Sequence, residues 1–192
     1  FRVGDVATGG APAATADEPK PARARRPVAR SKSVIPRGFP CMSTHARVRA
    51  IFDELKGINA SQQINSPAVM LRVLVDIALW SYLKDLGHAA AVVAHYDPAK
   101  KKSRDWTPAL RDLLSYAIEK RLFDGVTADG YKSLRTLVSK DSAYFITIEG
   151  FNAFTHNPYV VPTDTDLRAL WTRAEPMLQV ILNSDYRKVP SA

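Results

Sequence analysis

The chain has a single cysteine, Cys41, in 192 residues. An internal disulfide is therefore excluded, and a lone thiol fits a reducing compartment, with the cytoplasm as the expected location. Four histidines, His45, His88, His95 and His156, are spread over the chain without the tight His/Cys spacing of a zinc site. No metal is expected from them. A glycine-rich phosphate loop and a nucleophile elbow are also missing, which leaves nucleotide-triphosphatase and hydrolase readings without a motif and implies no cofactor. Uninterrupted apolar stretches fall far short of the roughly 20 residues that cross a bilayer, so no membrane partner is expected.

Positive charge is in surplus, +8 over the chain, but it is unevenly placed. Residues 1–40 hold eight Lys/Arg against three Asp/Glu, and residues 41–192 hold nineteen against sixteen. Most of the excess therefore lies in a segment rich in Gly, Ala, Pro and Arg, including KPARARRPVARSK at 20–32. Such a composition buries too little apolar surface to offset its ordering entropy, so residues 1–40 read as a disordered basic linker that attracts phosphate only unspecifically. The absence of an initiator Met or signal-like segment suggests a piece of a longer protein, with an upstream domain as one partner. Residues 41–188 read as the folded domain.

The organising stretch is SPAVMLRVLVDIALWSYLKDLG, Ser66 to Gly87. Ser66 suits a helix cap, Pro67 suits the first helical position, and Gly87 suits a left-handed stop. Between Ala68 and Leu83 the residues are apolar on nearly every side, which predicts a helix enclosed by other helices. Its only charges, Arg72 and Asp76, stand four apart and so share a face, either as an ion pair or against a polar residue of a neighbour.

Other helices follow from one-stripe spacing. Thr44 is the expected cap of a helix to about Lys56, with Val48, Ile51, Phe52 and Leu55 inward and Gly57 as its end. HAAAVVAH predicts a short helix, and DPAKKKSRDW an exposed loop in which Lys100, Lys101, Lys102 and Arg104 are either solvated or phosphate contacts. Thr107 and Pro108 should open a helix through Leu110, Leu113, Leu114, Ala117 and Ile118, broken at Gly125. Asp129 to Ser139 supplies another, and Ala143 to His156 is taken as helical although its first half is β-branched and aromatic. Thr163 and Asp166 form a capping-box pattern before DLRALWTRAEPMLQVIL, which Pro176 should kink. Six or so helices without a strand pattern make an all-α bundle around a buried central helix.

One polar constellation is left. Glu149, Asn152 and His156 fall at i, i+3 and i+7 of a helix and project from one face beside Phe151 and Phe154. An imidazole there suits proton transfer from a ribose 2′-hydroxyl, with an arginine holding the phosphate; equally, His156 is favoured at a helix C-terminus by the dipole, and Asn152 can satisfy a buried partner.

FNAFTHNP followed by PTDTDLRALWTRAEPMLQVIL resembles the closing segment of HEPN-like helical domains, and AVMLRVLVDIALWSYL resembles their first core helix, with Arg72 and Asp76 where an arginine and an acidic residue recur. The resemblance spans roughly residues 34–183. It implies a helical bundle, frequent homodimerisation, and membership of a superfamily containing metal-independent RNases of toxin–antitoxin, phage-defence and CRISPR systems. Active members have an arginine separated from the histidine by four to six intervening residues. Here Phe151, Gly150 and Glu149 occupy that interval. Two readings follow: a non-catalytic interaction module in an RNA-related or defence setting, or an endoribonuclease with His156 as base, Arg72 as phosphate clamp, Asn152 orienting and Asp76 and Glu149 in support.

Overall fold

A computed structural model of the chain describes residues 32–99, 102, 106–139, 147–157 and 159–183. Seven helices follow in order: α1 (Ala46–Gly57), α2 (Asn65–Asp85), α3 (Ala89–Tyr96), α4 (Leu110–Glu119), α5 (Ala128–Val138), α6 (Ile148–His156) and α7 (Asp164–Asn183). Among the described residues there is no strand, and the expected all-α bundle is what the chain forms.

The apolar stripes decide the packing. Leu71, Leu74, Val75, Ala78, Leu79, Tyr82 and Leu83 of α2 are buried, and α1, α3, α4, α6 and α7 all pack against that helix. α7 adds Leu167, Leu170, Trp171, Met177 and Leu178, and the Trp171 ring meets Phe39 edge-on at 5.0 Å. The packed chain begins ahead of Cys41: Val34, Ile35 and Phe39 are core residues, and the buried Ser33 hydroxyl donates to Leu55 O at 2.7 Å. α2 itself is not enclosed on all sides. Val69 is exposed and Val73 is half-buried, while Met70, Ile77 and Trp80 are half-buried and pack against the rim of the core.

Helix ends depart from the expected caps in several places. α1 starts at Ala46 with His45 extended and no side-chain cap, so Thr44 does not cap it. Ser66 lies inside the first turn of α2, which begins one residue earlier, and Ile64 before it already has helical angles. Pro67 is tolerated there because amides of the first turn have no acceptor within the helix. α4 begins at Leu110, so Thr107 and Pro108 precede it and Ala109 flanks it without a side-chain bond. Thr127 and Thr147 supply the caps of α5 and α6 by accepting from Gly130 N and Gly150 N. The capping box is present as expected: Asp166 N donates to Thr163 Oγ1 at 3.1 Å and Thr163 N to Asp166 Oδ2 at 2.9 Å. Of the segment 143–156, residues 148–156 are helical and 143–146 lie outside the described residues.

Two left-handed residues close helices by the same bond pattern. At Gly87 (φ 78°), His88 N donates to Leu83 O at 2.8 Å and Gly87 N to Lys84 O at 3.0 Å. α4 ends likewise at Arg121 (φ 51°), with Leu122 N on Ala117 O at 3.0 Å, ahead of the expected break at Gly125. An arginine in that conformation is costly. Its guanidinium sits 5.8 Å from the Tyr131 ring centroid. The turn that follows is tied down by two tyrosines: Tyr82 Oη donates to Leu122 O, and Tyr131 Oη accepts from Phe123 N at 3.0 Å and donates to Phe123 O at 3.2 Å.

α7 continues through Pro176, which removes one backbone donor. α5 crosses it closely because Gly130 has no Cβ; one added there would lie 2.7 Å from Val126 Cγ1 and 3.3 Å from Pro176 Cβ. Ser133 Oγ donates to Arg173 O at 3.3 Å and Arg173 Nη1 to Thr136 Oγ1 at 2.5 Å, so the crossing has polar as well as apolar contacts.

Removing the Tyr131 hydroxyl leaves the buried Phe123 amide without its acceptor. Tyr131→Phe is expected to lower unfolding free energy by about 1–3 kcal/mol in urea titrations, as loss of a buried hydrogen-bond partner does; an unchanged midpoint contradicts the role given to this tie.

Candidate functional site

α6 owes its register to Thr147 at its start and to Phe151 and Ala153, which are buried and fix which side faces inward. That rotation leaves Glu149 and Asn152 half-exposed, one turn apart. Each meets an arginine from a different helix. Arg72 of α2 donates from Nε to Asn152 Oδ1 at 3.3 Å and pairs through Nη1 with Asp76 Oδ2 at 3.0 Å. Arg111 of α4 pairs through Nη1 with Glu149 Oε1 at 2.8 Å. Of the expected site residues, Arg72, Asp76 and Asn152 are in contact with one another, and Glu149 belongs to a second pair beside them.

Arg111 is the residue that reading the sequence missed. Nothing in a linear pattern couples position 111 to position 149; the only hint is a charged side chain at the start of a helix whose inner stripe is otherwise apolar. Among the described residues its buried Nε and Nη2 have no hydrogen-bond partner, while Nη1 is paired with Glu149. Unpaired buried donors cost on the order of 1–3 kcal/mol.

His156 stands apart. It is exposed at the last residue of α6 and lines an open groove of about 310 Å³ with Asn65, Phe154, Thr155, Asn157, Val160 and Val161. Its imidazole makes no hydrogen bond or ion pair among the described residues, and Arg72 is not in the groove lining. The guanidinium reaches Asn152, which stands four residues before His156 on α6. Three of the four exposed large apolar residues, Val69, Tyr159 and Val161, lie on α2 near Asn65 or in the strap after α6.

Of the basic loop, Lys100, Lys101 and Arg104 lie outside the described residues. Lys102 is exposed; its amide donates to Asp97 Oδ2 at 2.9 Å and its Nζ is 5.9 Å from the Trp106 ring centroid. The remaining histidines are engaged elsewhere: His45 Nε2 lies 2.7 Å from Asp85 Oδ2, His88 Nδ1 lies 3.2 Å from Tyr116 Oη, and His95 packs edge-on against Tyr96. Burial, with Asp112 and Glu119 adding repulsion, holds the Tyr96 hydroxyl above its usual pKa. Burial likewise raises the Cys41 thiol. Among the described residues no group of three His, Cys, Asp or Glu is placed to hold a metal ion.

Chemically, the α2/α4/α6 face is a neutral seam of two guanidiniums, two carboxylates and one amide, and His156 is a solvent-facing base beside it. A proton acceptor in cleavage needs a partner to fix its tautomer and a free cation near the phosphate. Here the guanidiniums of Arg72 and Arg111 are committed to α6 and α2 acceptors. Compared with models of known families, with curated proteins and with solved structures, the chain matches none.

Because Arg111 leaves two buried donors unpaired, an apolar side chain of similar length should serve the fold as well. Arg111→Met is expected to leave the unfolding midpoint unchanged or higher. Glu149→Ala, which takes away the one partner, is expected to cost about 1 kcal/mol, modest because the carboxylate is part exposed. A large loss of stability in Arg111→Met contradicts this reading.

Proposed function

We propose that the chain is a HEPN-like helical interaction module that docks or dimerises without cutting RNA, in an RNA-related or defence setting in the bacterial cytoplasm. One observation supports this above the others: both arginines that reach α6 are taken up as structural partners, Arg72 by Asp76 and Asn152 and Arg111 by Glu149. Glu149, in the interval where active HEPN RNases have their arginine, serves here as a carboxylate partner to one. His156 in the open groove then contributes surface and not proton transfer. The basic residues of 1–40 add unspecific attraction to nucleic-acid phosphate.

The test is incubation of the whole chain with structured and single-stranded RNAs in a chelating buffer, beside His156→Ala. No cutting above background is expected from either protein. Cutting by the wild type that His156→Ala abolishes, and that Arg72→Ala also abolishes, establishes the endoribonuclease reading instead.

A further inference from the structure

The groove beside His156 is set in a surface with almost no formal charge. Two stretches of chain meet there, 58–71 through Asn65 and 150–163 through Phe154, Val160 and Val161. Neither stretch holds an Asp, Glu, Lys or Arg, in a chain of which 24% is charged. Among the described residues exposed there, amides, hydroxyls and aliphatic side chains stand beside the single imidazole of His156.

Apolar side chains are brought to the same place. Val69, one turn after Asn65 on α2, is 43% exposed, Val161 is 64% exposed and Tyr159 is 92% exposed. The backbone that carries Tyr159 is fixed by a turn on Asn157: Tyr159 N donates to Asn157 Oδ1 at 2.9 Å and Val160 N to Asn157 O at 3.2 Å. Phe154, which packs against the core, forms the floor. Depletion of charge together with a grouped tyrosine and valines is the composition of the centre of a protein–protein contact. A nucleic acid or an anionic headgroup would find no Lys or Arg in either stretch, and a charged peptide would lose hydration there with no opposite charge in return.

We infer that this groove is the docking site for an uncharged segment of a partner protein, which sets one large apolar side chain over Phe154 beside Val160 and Val161. The peptide groups of the segment then meet the amides of Asn65 and Asn157, with Val69 flanking it from α2 and Tyr159 from the strap. A volume of about 310 Å³ lies at the low end for small-molecule pockets and suits a side chain better than a whole ligand of drug size. The inference rests on the docking reading and adds to it a surface and the chemistry of what docks.

Short random peptides displayed on phage and selected on the whole chain are the probe, with the enriched peptides synthesised and titrated by fluorescence anisotropy. They are expected to carry a large apolar residue among uncharged neighbours and to bind Val161→Asp and Tyr159→Ala roughly tenfold or more weakly than wild type. Both positions are exposed, so each variant should keep the wild-type unfolding midpoint, and either one decides the test if the other does not fold. The inference is overturned if no peptide is enriched, if the enriched peptides are rich in Asp, Glu, Lys or Arg, or if both variants bind them as wild type does. It is also overturned by a wild-type dimer that Val161→Asp dissociates, which gives the groove to a second copy, and by binding of oligouridylate that Tyr159→Ala abolishes, which gives it to RNA. Peptides that bind as expected to a chain whose RNA cutting needs His156 overturn the non-cutting function and not the groove; absence of both cutting and peptide binding does the reverse.

Discussion

The fold depends on burying one side of α2. Leu71, Leu74, Leu79 and Leu83 are fully enclosed, and five other helices take their positions from the ridges these side chains form. Each buried leucine contributes roughly 2 kcal/mol by its removal from water, against about 1 kcal/mol net for a typical hydrogen bond. Helices with little such surface are held by other means. α3 buries only Val92, and His88 and His95 anchor its two ends on Tyr116. The turn after α4 is fixed by Tyr82 and Tyr131 because its own residues cannot close it without the left-handed Arg121.

α6 joins these two kinds of attachment. Its inner side is apolar, through Ile148 and Phe151, while its flank is polar, through Glu149 and Asn152. The polar flank sets the rotation of the helix about its axis, since a shift of one residue separates both arginines from their acceptors. Arginines used in this way have less to offer a ligand. That is the physical ground on which the proposed function sets cleavage chemistry aside.

Much of the architecture could be read from residue spacing. The inner stripes of α4, α5 and α7 are those that their apolar periodicity marks, and Gly87 and the Thr163/Asp166 box end and begin helices as their chemistry requires. What escaped depended on geometry beyond a few residues. A serine or threonine caps only as the residue directly before the helix, and α1, α2 and α4 have His45, Ile64 and Ala109 there in place of Thr44, Ser66 and Thr107. Arg121 ends α4 without the glycine that would announce it. The Arg111–Glu149 pair joins residues far apart in sequence, and a helix greasy all round, as α2 looks, does not disclose which arc its neighbours leave open.

The central claim is that α2 is the part of the molecule whose loosening requires loss of the whole core. Residue-resolved amide hydrogen exchange under native conditions measures this directly. Amides from Leu71 to Leu83 should be the slowest in the chain and exchange with the free energy of global unfolding, with those of α3 among the fastest helical amides. Exchange of α2 amides through a local opening as cheap as that of α3 contradicts the claim.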